Sequence, residues 1–265
     1  MSALQAREIV LIGAGRLATH LGLAIVEQGL KVAQVYNRNA AAGRKLADKT
    51  GAFFTDDIRE ITLHADLYIL AVSDSALEEL AAKLRLSDKT VVHTSGTMEM
   101  GILAPVSTSI GVFYPVQTFA PDRNIDFRQV PVCLEGNSQA AVDLLTVFAK
   151  GLTQHVYYLN SEQRRILHLG AVFASNFTNY IYAVSEELLA VHEIPFDLLK
   201  PLIIHTAQNV IHGNLIQSQT GPAARGDKRV LEKHRELLLN HPDYLTIYNL
   251  ISSNILKHQS LHGKL

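Results

Sequence analysis

Residues 13–18 have the amino-acid types and spacing of a turn that binds a diphosphate. They match the pattern G-x-G-x-x-[GA], between an apolar run that predicts a strand and a segment with helical spacing. Gly13 permits a tight turn, and Gly15 has no side chain, so a diphosphate can approach the N–H groups at the helix start, whose dipole favours anions. The alternative is that the glycines serve packing alone. The predicted contacts to a dinucleotide are Gly13, Ala14, Gly15, Arg16 and Leu17.

The end of the second predicted strand carries a cation. NAD enzymes usually place Asp or Glu there for the ribose hydroxyls, whereas NADP enzymes often place an arginine for the 2′-phosphate. Here Asn37 and Arg38 occupy this position and no acidic residue does. Because a guanidinium can hold a phosphate through paired hydrogen bonds, the sequence predicts NADP rather than NAD. The alternative is that Arg38 is a solvated loop residue.

Polar residues follow two further predicted strands. Ligands of such sheets bind at the carboxyl ends of the strands, so both segments are expected beside the cofactor. His93 ends the second of these strands and is a candidate general acid, although a histidine here can equally be a structural hydrogen-bonding group. The predicted cofactor contacts from these segments are Val72, Ser73, Asp74, Thr94 and Ser95.

These candidates must be positioned by the alternation of strands and helices in the first half of the chain. Residues 67–72 are a continuous apolar run, typical of a strand that is buried on both faces of a parallel sheet. Short strands separated by helices predict a doubly wound parallel sheet. The predicted strands are 8–12, 31–36, 52–54, 67–72, 90–92, 111–114, 130–134 and 155–159, and the predicted helices are 16–28, 39–49, 75–83 and 138–150.

The pattern changes after residue 160, where we predict helices and no further strand. Asn160 can cap a helix together with Gln163, and the helix then continues to about His192. The sequence therefore predicts two domains. Residues 1–159 form the dinucleotide-binding domain, and residues 160–265 form an all-α domain for substrate binding and dimerisation.

The predicted helix at 162–190 carries apolar side chains on all sides, which predicts a buried central helix. His168 and Ser175 fall on one side of it, with Asn176 roughly 80° away. A buried polar group needs a partner, because leaving it unpaired costs about 1–3 kcal/mol. If that partner is another helix, these residues are structural. If it is a ligand, His168 is the first candidate proton donor, ahead of His93, and Asn176 orients the substrate.

Residues 220–227 form a polar segment with glycine and proline before a predicted helix. Asp227 suits the N-cap of that helix. Arg225 can then reach a carboxylate or phosphate, and it is our candidate for orienting a substrate. Structural capping alone is the alternative.

The composition bounds the function classes. The chain has 265 residues, 48% hydrophobic and 18% charged, with a formal net charge of -1, so nothing favours nucleic acid or an anionic membrane surface. No apolar run approaches the roughly 18 residues of a membrane-spanning helix, and residues 1–7 lack a signal-like apolar core. Cys133 is the only cysteine, which excludes an intrachain disulfide and a thiolate zinc site. We expect a cytoplasmic protein without a bound metal.

Taken together, these motifs resemble the uncharacterised NADP oxidoreductases that join a Rossmann-like domain to a helical domain of unknown function. Those proteins are similar in build to pyrroline-carboxylate reductases, deazaflavin-dependent NADP reductases and 6-phosphogluconate-type hydroxyacid dehydrogenases, whose C-terminal domains are also helical. The matching segments are residues 13–18, 37–38, 71–74, 93–96, 115–119, 168–176 and 220–227.

The resemblance implies a dinucleotide site at Gly13, Gly15, Arg38 and Ser73, and a homodimer built through the helical domain. Two departures limit what it carries over. Tyr114 stands where a histidine is expected before the proline. The Lys-x-x-x-Asn pair of the hydroxyacid dehydrogenases is also absent, so their substrate and proton chemistry do not transfer.

The sequence thus favours an NADP(H)-dependent oxidoreductase that moves hydride to or from a small carbonyl or imine carbon, with the protein supplying orientation and a proton donor. One alternative is a sensor that binds NADP(H) without catalysis, which the missing catalytic lysine favours. A second alternative is a deazaflavin-dependent NADP reductase. The sequence leaves the substrate and the direction of the reaction open.

Overall fold

The computed structural model describes residues 8–120, 125–213, 215 and 218–262. Within them, eight strands form one sheet with the order β3-β2-β1-β4-β5-β6-β7-β8. The strands are β1 (Glu8–Ile12), β2 (Lys31–Tyr36), β3 (Phe53–Thr55), β4 (Leu67–Leu70), β5 (Ser87–His93), β6 (Ser107–Pro115), β7 (Val132–Gly136) and β8 (Val156–Tyr158).

Helices alternate with the strands and then replace them. The helices are α1 (Arg16–Glu27), α2 (Ala40–Thr50), α3 (Asp74–Lys83), α4 (Gln139–Leu152), α5 (Ser161–Ala171), α6 (Thr178–Ala190), α7 (Lys200–His212), α8 (Pro222–Arg225), α9 (Lys228–Leu237) and α10 (Pro242–His262). Asn160 and Gln163 form the expected capping box at the start of α5. Among the described residues, no helix is both long and apolar enough to cross a membrane.

Strand β1 lies inside the sheet, and its side chains are apolar on both faces. Ile9 and Leu11 pack into a core with α1, α2 and α4, whereas Val10 and Ile12 pack into a second core with α3. Successive side chains of a strand point to opposite faces, so a continuous apolar run fills both cores at once. Strand β1 lies between β2 and β4, and the strand order reverses here, which opens a crevice at the carboxyl ends of the strands.

The doubly wound sheet is confirmed, with one antiparallel pair. Strands β1 to β6 are parallel to one another, whereas β7 runs antiparallel to β6 and parallel to β8. The described part of the β6–β7 connection holds only a short 3₁₀ helix, Phe127–Gln129. A parallel pair needs a longer crossover, usually an α-helix.

The chain separates into two compact units, Met1–Asn176 and Phe177–Leu265. The first contains the sheet and helices α1 to α5, and the described residues of the second form helices and turns. The predicted helical C-terminal region is therefore confirmed. The functional division at 159/160 lies between β8 and α5 and stays a prediction.

The helix predicted at 162–190 differs from the expected form in two ways. It consists of α5, a π-helical segment (Val172–Phe177) and α6. A π turn holds more residues than an α turn, so side chains on either side do not follow one 100° period. The expected burial is wrong, since Ile166, Leu169 and Phe173 are 67%, 53% and 61% exposed. Apolar side chains on all sides indicate that a helix packs against other surfaces on all sides. They do not indicate that those surfaces belong to the same chain.

Candidate active site

A cleft of about 510 Å³ lies at the carboxyl ends of the central strands. Most of the residues predicted to contact a cofactor line this cleft, whereas Asp74 and Ser95 do not. The predicted residues in the lining are Gly13, Ala14, Gly15, Arg16, Leu17, Asn37, Arg38, Val72, Ser73 and Thr94.

The two glycines of the turn differ in what they provide. Gly13 has a φ of +114°, and a Cβ there would lie 2.3 Å from the carbonyl oxygen of Ala71. Gly15 has an ordinary φ of -73°, and a Cβ there would meet no atom within 4 Å. Gly13 is therefore required by the fold, whereas Gly15 leaves open space in front of α1. This helix has no side-chain cap and no acidic residue in its first turn, so its N–H groups suit an anion.

Asn37 holds the turn against the second strand. Its Oδ1 accepts a hydrogen bond from the N–H of Ala14 at 3.2 Å, and its Nδ2 donates to the carbonyl of Asn39 at 2.8 Å. The side chain of Asn39 in turn caps α2. Asn37 thus has a structural function in addition to its place in the cleft wall.

Charged side chains gather where the second strand and α3 meet the cleft. Arg38 donates from Nη1 to Oε2 of Glu79 at 2.9 Å, and both side chains are more than half exposed. Lys83, one turn after Glu79 on α3, lines the same cleft. Arg44 instead lies over the ring of Phe54 at 4.9 Å. Arg38 and Lys83 are therefore the cations on this side of the cleft, and Arg16 lines the cleft at the start of α1.

Asp74 and Ser95 shape the loop after β5. The Oδ2 of Asp74 accepts from the hydroxyl of Thr97 at 2.5 Å. The Oγ of Ser95 accepts from the N–H groups of Thr97 and Met98 at 3.1 and 3.0 Å. Both side chains form hydrogen bonds with residues of this loop, and neither lines the cleft. The structure therefore does not support their predicted contact with a cofactor.

His93 is completely buried at the end of β5. Its Nδ1 accepts from the N–H of Ser95 at 3.2 Å, and its Nε2 lies 3.3 Å from the carbonyl oxygen of Glu99. Burial, with a contribution from the nearby Arg164 cation, lowers the pKa of His93 to about 4. A neutral imidazole with both nitrogens engaged fits the structural alternative, and this placement argues against His93 as a proton donor.

A second cavity, of about 430 Å³, lies between the end of β6 and α5 with its π-helical extension. His168 and Asn176, which the sequence singled out, both line it. The phenol oxygen of Tyr114 lies 2.9 Å from Nδ1 of His168. The hydroxyls of Thr118 and Ser175 are 3.0 Å apart on another part of the wall. The π-helical geometry at this place is itself common at functional sites.

Arg164 ties α5 to the sheet and to the loop after β5. Its side chain is 1% exposed, and its guanidinium donates to the carboxylate of Glu135 and to the carbonyl of Met98. Glu135 also accepts from the hydroxyl of Ser161 at 2.8 Å. Among the described residues, Nε of Arg164 is the buried side-chain nitrogen without a partner. These bonds fix the first turn of α5. His168 lies on the last turn of the same helix.

Sequence reasoning missed the roles of Tyr114, Thr118 and Arg164. An arginine on a helix normally indicates a solvated surface, and the sequence carries no signal that Glu135 would meet it. In the sequence, Tyr114 is distinctive only because it stands where a histidine is expected. Its contact with His168 joins residues far apart in the chain, so only the folded structure shows it.

Arg225 belongs to the second unit, where it is the last residue of α8. The expected cap is confirmed, because Asp227 accepts from the N–H of Val230 at 3.2 Å and starts α9. The second unit also has an apolar cavity of about 360 Å³, in whose wall the phenol of Tyr248 lies 2.9 Å from Nδ1 of His234.

Known proteins match the chain over both of its parts. Residues 3–116 match a Rossmann-like domain, and residues 130–255 match a domain of unknown function, DUF2520. The crystal structure of a proposed NADP oxidoreductase from Bacteroides fragilis shares 39% sequence identity. It aligns with a TM-score of 0.88 over 96% of this chain and 100% of that protein.

More distant structures share the fold. A protein from Thermotoga maritima has 22% identity and a TM-score of 0.78, over 95% of this chain and 99% of its own. An imine reductase from Myxococcus stipitatus, solved in complex with NADP+, has 16% identity and a TM-score of 0.69, over 96% and 95%. No curated protein matches the chain.

Proposed function

The chain belongs to the family that joins a Rossmann-like domain to the domain DUF2520, and we propose that it is an NADP(H)-dependent oxidoreductase. Its substrate is a small molecule with a carbonyl or imine carbon. The observation that carries the proposal is the open, uncapped start of α1 at Gly15, with Arg38 at the edge of the same cleft. The relative from Bacteroides fragilis is named for the same activity, and the imine reductase was solved with NADP+.

The residues of the cleft fit the two charged parts of this cofactor. The N–H groups at the start of α1 donate hydrogen bonds to the diphosphate, and Gly15 keeps the approach open. Arg38 and Lys83 offer cations to the 2′-phosphate. When bound, the nicotinamide supplies or accepts the hydride. The protein holds and orients the ligands and moves a proton.

The second cavity supplies the substrate side of the proposal. His168 donates a hydrogen to the carbonyl oxygen or imine nitrogen, and Asn176 and Ser175 offer polar groups that orient the substrate. Arg225 lies in the second unit, and its role in orienting a substrate stays a prediction from the sequence. His93 is a weaker candidate for the proton donor than His168, because both ring nitrogens of His93 already have hydrogen-bond partners.

The test is calorimetric titration with NADPH and NADH, followed by a screen of carbonyls and imines for NADPH oxidation. We expect tighter binding of NADPH, and Arg38→Asp should weaken it roughly 10- to 100-fold while leaving NADH binding unweakened. Lys45→Asp is the control, since Lys45 is an exposed cation outside the cleft lining. The proposal fails if neither nucleotide gives binding heat.

We propose in addition that two copies pair through the helical region. Monomers rarely expose large apolar patches, and α7 with the turn before it exposes Leu198, Leu202, Ile204, Val210 and Ile211 by 55–73%. Sedimentation should show that the wild-type protein is a dimer. Ile204→Glu and Ile211→Glu should each convert it to a monomer. Leu63→Glu changes another exposed apolar residue and should leave the dimer intact. A monomeric wild-type protein would refute the pairing.

A further inference from the structure

The imidazole of His168 is held by two neighbours within the first unit. Tyr114 contacts Nδ1 through its phenol oxygen at 2.9 Å, with the two rings edge to face at 71°. On another side, Gly96 approaches so closely that a Cβ there would lie 2.5 Å from Nδ1 and 2.7 Å from Cγ. The ring therefore has little room to rotate, and its Nδ1 is occupied.

The phenol of Tyr114 has a proton that it can donate in this contact. Tyr114 is only 7% exposed. Burial, with a smaller effect of Cys133, raises its pKa above the ordinary 10.0, although the cation of Arg164 partly opposes the rise. The phenol thus keeps its proton at neutral pH. Among the described residues its hydrogen-bond partner is Nδ1 of His168, so this nitrogen is the acceptor available to the phenol.

A neutral imidazole carries one hydrogen, and the bond at one nitrogen decides which nitrogen bears it. We propose that Tyr114 is a positioning residue that fixes His168 as the tautomer protonated at Nε2, so that His168 presents this hydrogen to the substrate. This inference rests on the proposed function for its chemical consequence. The tautomer itself depends only on the first unit.

The arrangement also supplies a balanced proton path. When bound, the reduced nicotinamide would supply a hydride to the carbonyl carbon and become oxidised, and the carbonyl oxygen would become an alkoxide. The alkoxide takes the proton from Nε2, and the phenolic proton of Tyr114 moves to Nδ1. The imidazole stays neutral, and the charge moves to the phenolate. Because an alkoxide is a stronger base than a phenolate, the transfer runs downhill, and the Arg164 cation favours the phenolate further.

The tautomer can be measured by NMR on protein labelled with ¹⁵N-histidine, with the His168 signals assigned from His168→Gln. The wild-type protein at neutral pH should show His168 protonated at Nε2. Tyr114→Phe keeps the ring and removes the donor, so His168 should change to a mixture of the two tautomers. In NADPH oxidation, Tyr114→Phe should lower kcat by at least roughly tenfold with an unchanged Kd for NADPH.

Tyr248→Phe is a matched control, since Tyr248 makes the same phenol contact with Nδ1 of a histidine in the second unit. It should leave the His168 signals and kcat unchanged. The inference is overturned if wild-type His168 carries its hydrogen on Nδ1, or if Tyr114→Phe leaves the tautomer as it was. Titration of the same samples with NADPH tests the proposed function separately, and the NMR result stands whether or not the nucleotide binds.

Discussion

Arg38 and Glu79 form an ion pair in the lining of the cleft that we propose for the dinucleotide, with 2.9 Å between Nη1 and Oε2. The arginine comes from the end of β2 and the glutamate from α3, so the pair bridges two walls of the same cleft. A phosphate that binds Arg38 must compete with this carboxylate. Exposed pairs of this kind contribute little to stability, so the glutamate yields to a ligand but lowers its affinity.

Glu79→Gln should therefore strengthen NADPH binding by roughly 1.5- to 5-fold, and should leave NADH binding almost unchanged. The difference arises because only NADPH carries the 2′-phosphate. Titration calorimetry at low salt is the measurement, since salt screens exposed charges. Glu78→Gln removes the same charge from the neighbouring exposed position on α3 and should have a smaller effect. Equal gains for both nucleotides would contradict the explanation.

Gly13→Ala and Gly15→Ala should separate folding from binding. At Gly13 the positive φ and the carbonyl of Ala71 both oppose a Cβ, so Ala should lower the free energy of unfolding by about 2 kcal/mol or more. At Gly15 the backbone accepts Ala and the Cβ enters open space, so the loss should stay below about 1 kcal/mol.

Gly15→Ala should affect NADPH binding more than it affects stability. Its Cβ would enter the space that we propose for the diphosphate, so Gly15→Ala should weaken NADPH binding in a protein that remains folded. Urea denaturation and calorimetry on the same samples measure both effects. A Gly15→Ala protein that binds NADPH with the wild-type Kd would show that the diphosphate lies elsewhere.

The predictable part of the site is the part encoded by local pattern. The turn after β1 and the arginine after β2 follow from spacing along neighbouring elements, and the cleft assembles where they predict. The start of β6 was not predicted, because Ser107, Thr108 and Ser109 interrupt its apolar pattern. The contact between Tyr114 and His168 depends on how α5 packs against β6, and no local pattern encodes that packing.

Arg164 and Arg165 are adjacent in the chain but should respond oppositely to substitution. Arg164 is buried and its partner Glu135 is 15% exposed, whereas Arg165 and its partner Glu99 are 44% and 68% exposed. Arg164→Met leaves the carboxylate of Glu135 mostly buried and without its cation. The substitution should lower the free energy of unfolding by about 3–5 kcal/mol. Arg165→Met should cost less than about 1 kcal/mol.

The same pair tests the link between α5 and the second cavity. Because Arg164 fixes the first turn of α5, its loss should also broaden the NMR signals of His168, whereas Arg165→Met should not. Chemical denaturation gives the stability and the labelled spectra give the local effect. If the two variants lost similar amounts of stability, the burial of Arg164 would not be what makes its ion pair important.

His93 connects the stability of the first unit to pH. Its folded pKa is about 4, below the ordinary value of 6.5 that applies when the chain is unfolded. Between these values the unfolded chain binds more protons than the folded one, so the free energy of unfolding rises with pH. The contribution of His93 is fully present above about pH 6.5 and is lost as the pH falls towards 4.

His93→Asn should remove this part of the pH dependence, because Asn can accept from the N–H of Ser95 without taking up a proton. Urea denaturation from pH 7 to pH 4 should show the wild-type protein losing about 3 kcal/mol more than the variant, since each pKa unit corresponds to about 1.4 kcal/mol. His192→Gln, at an exposed histidine, should keep the wild-type slope. Parallel slopes for wild type and His93→Asn would mean that the imidazole takes up its proton without leaving the core.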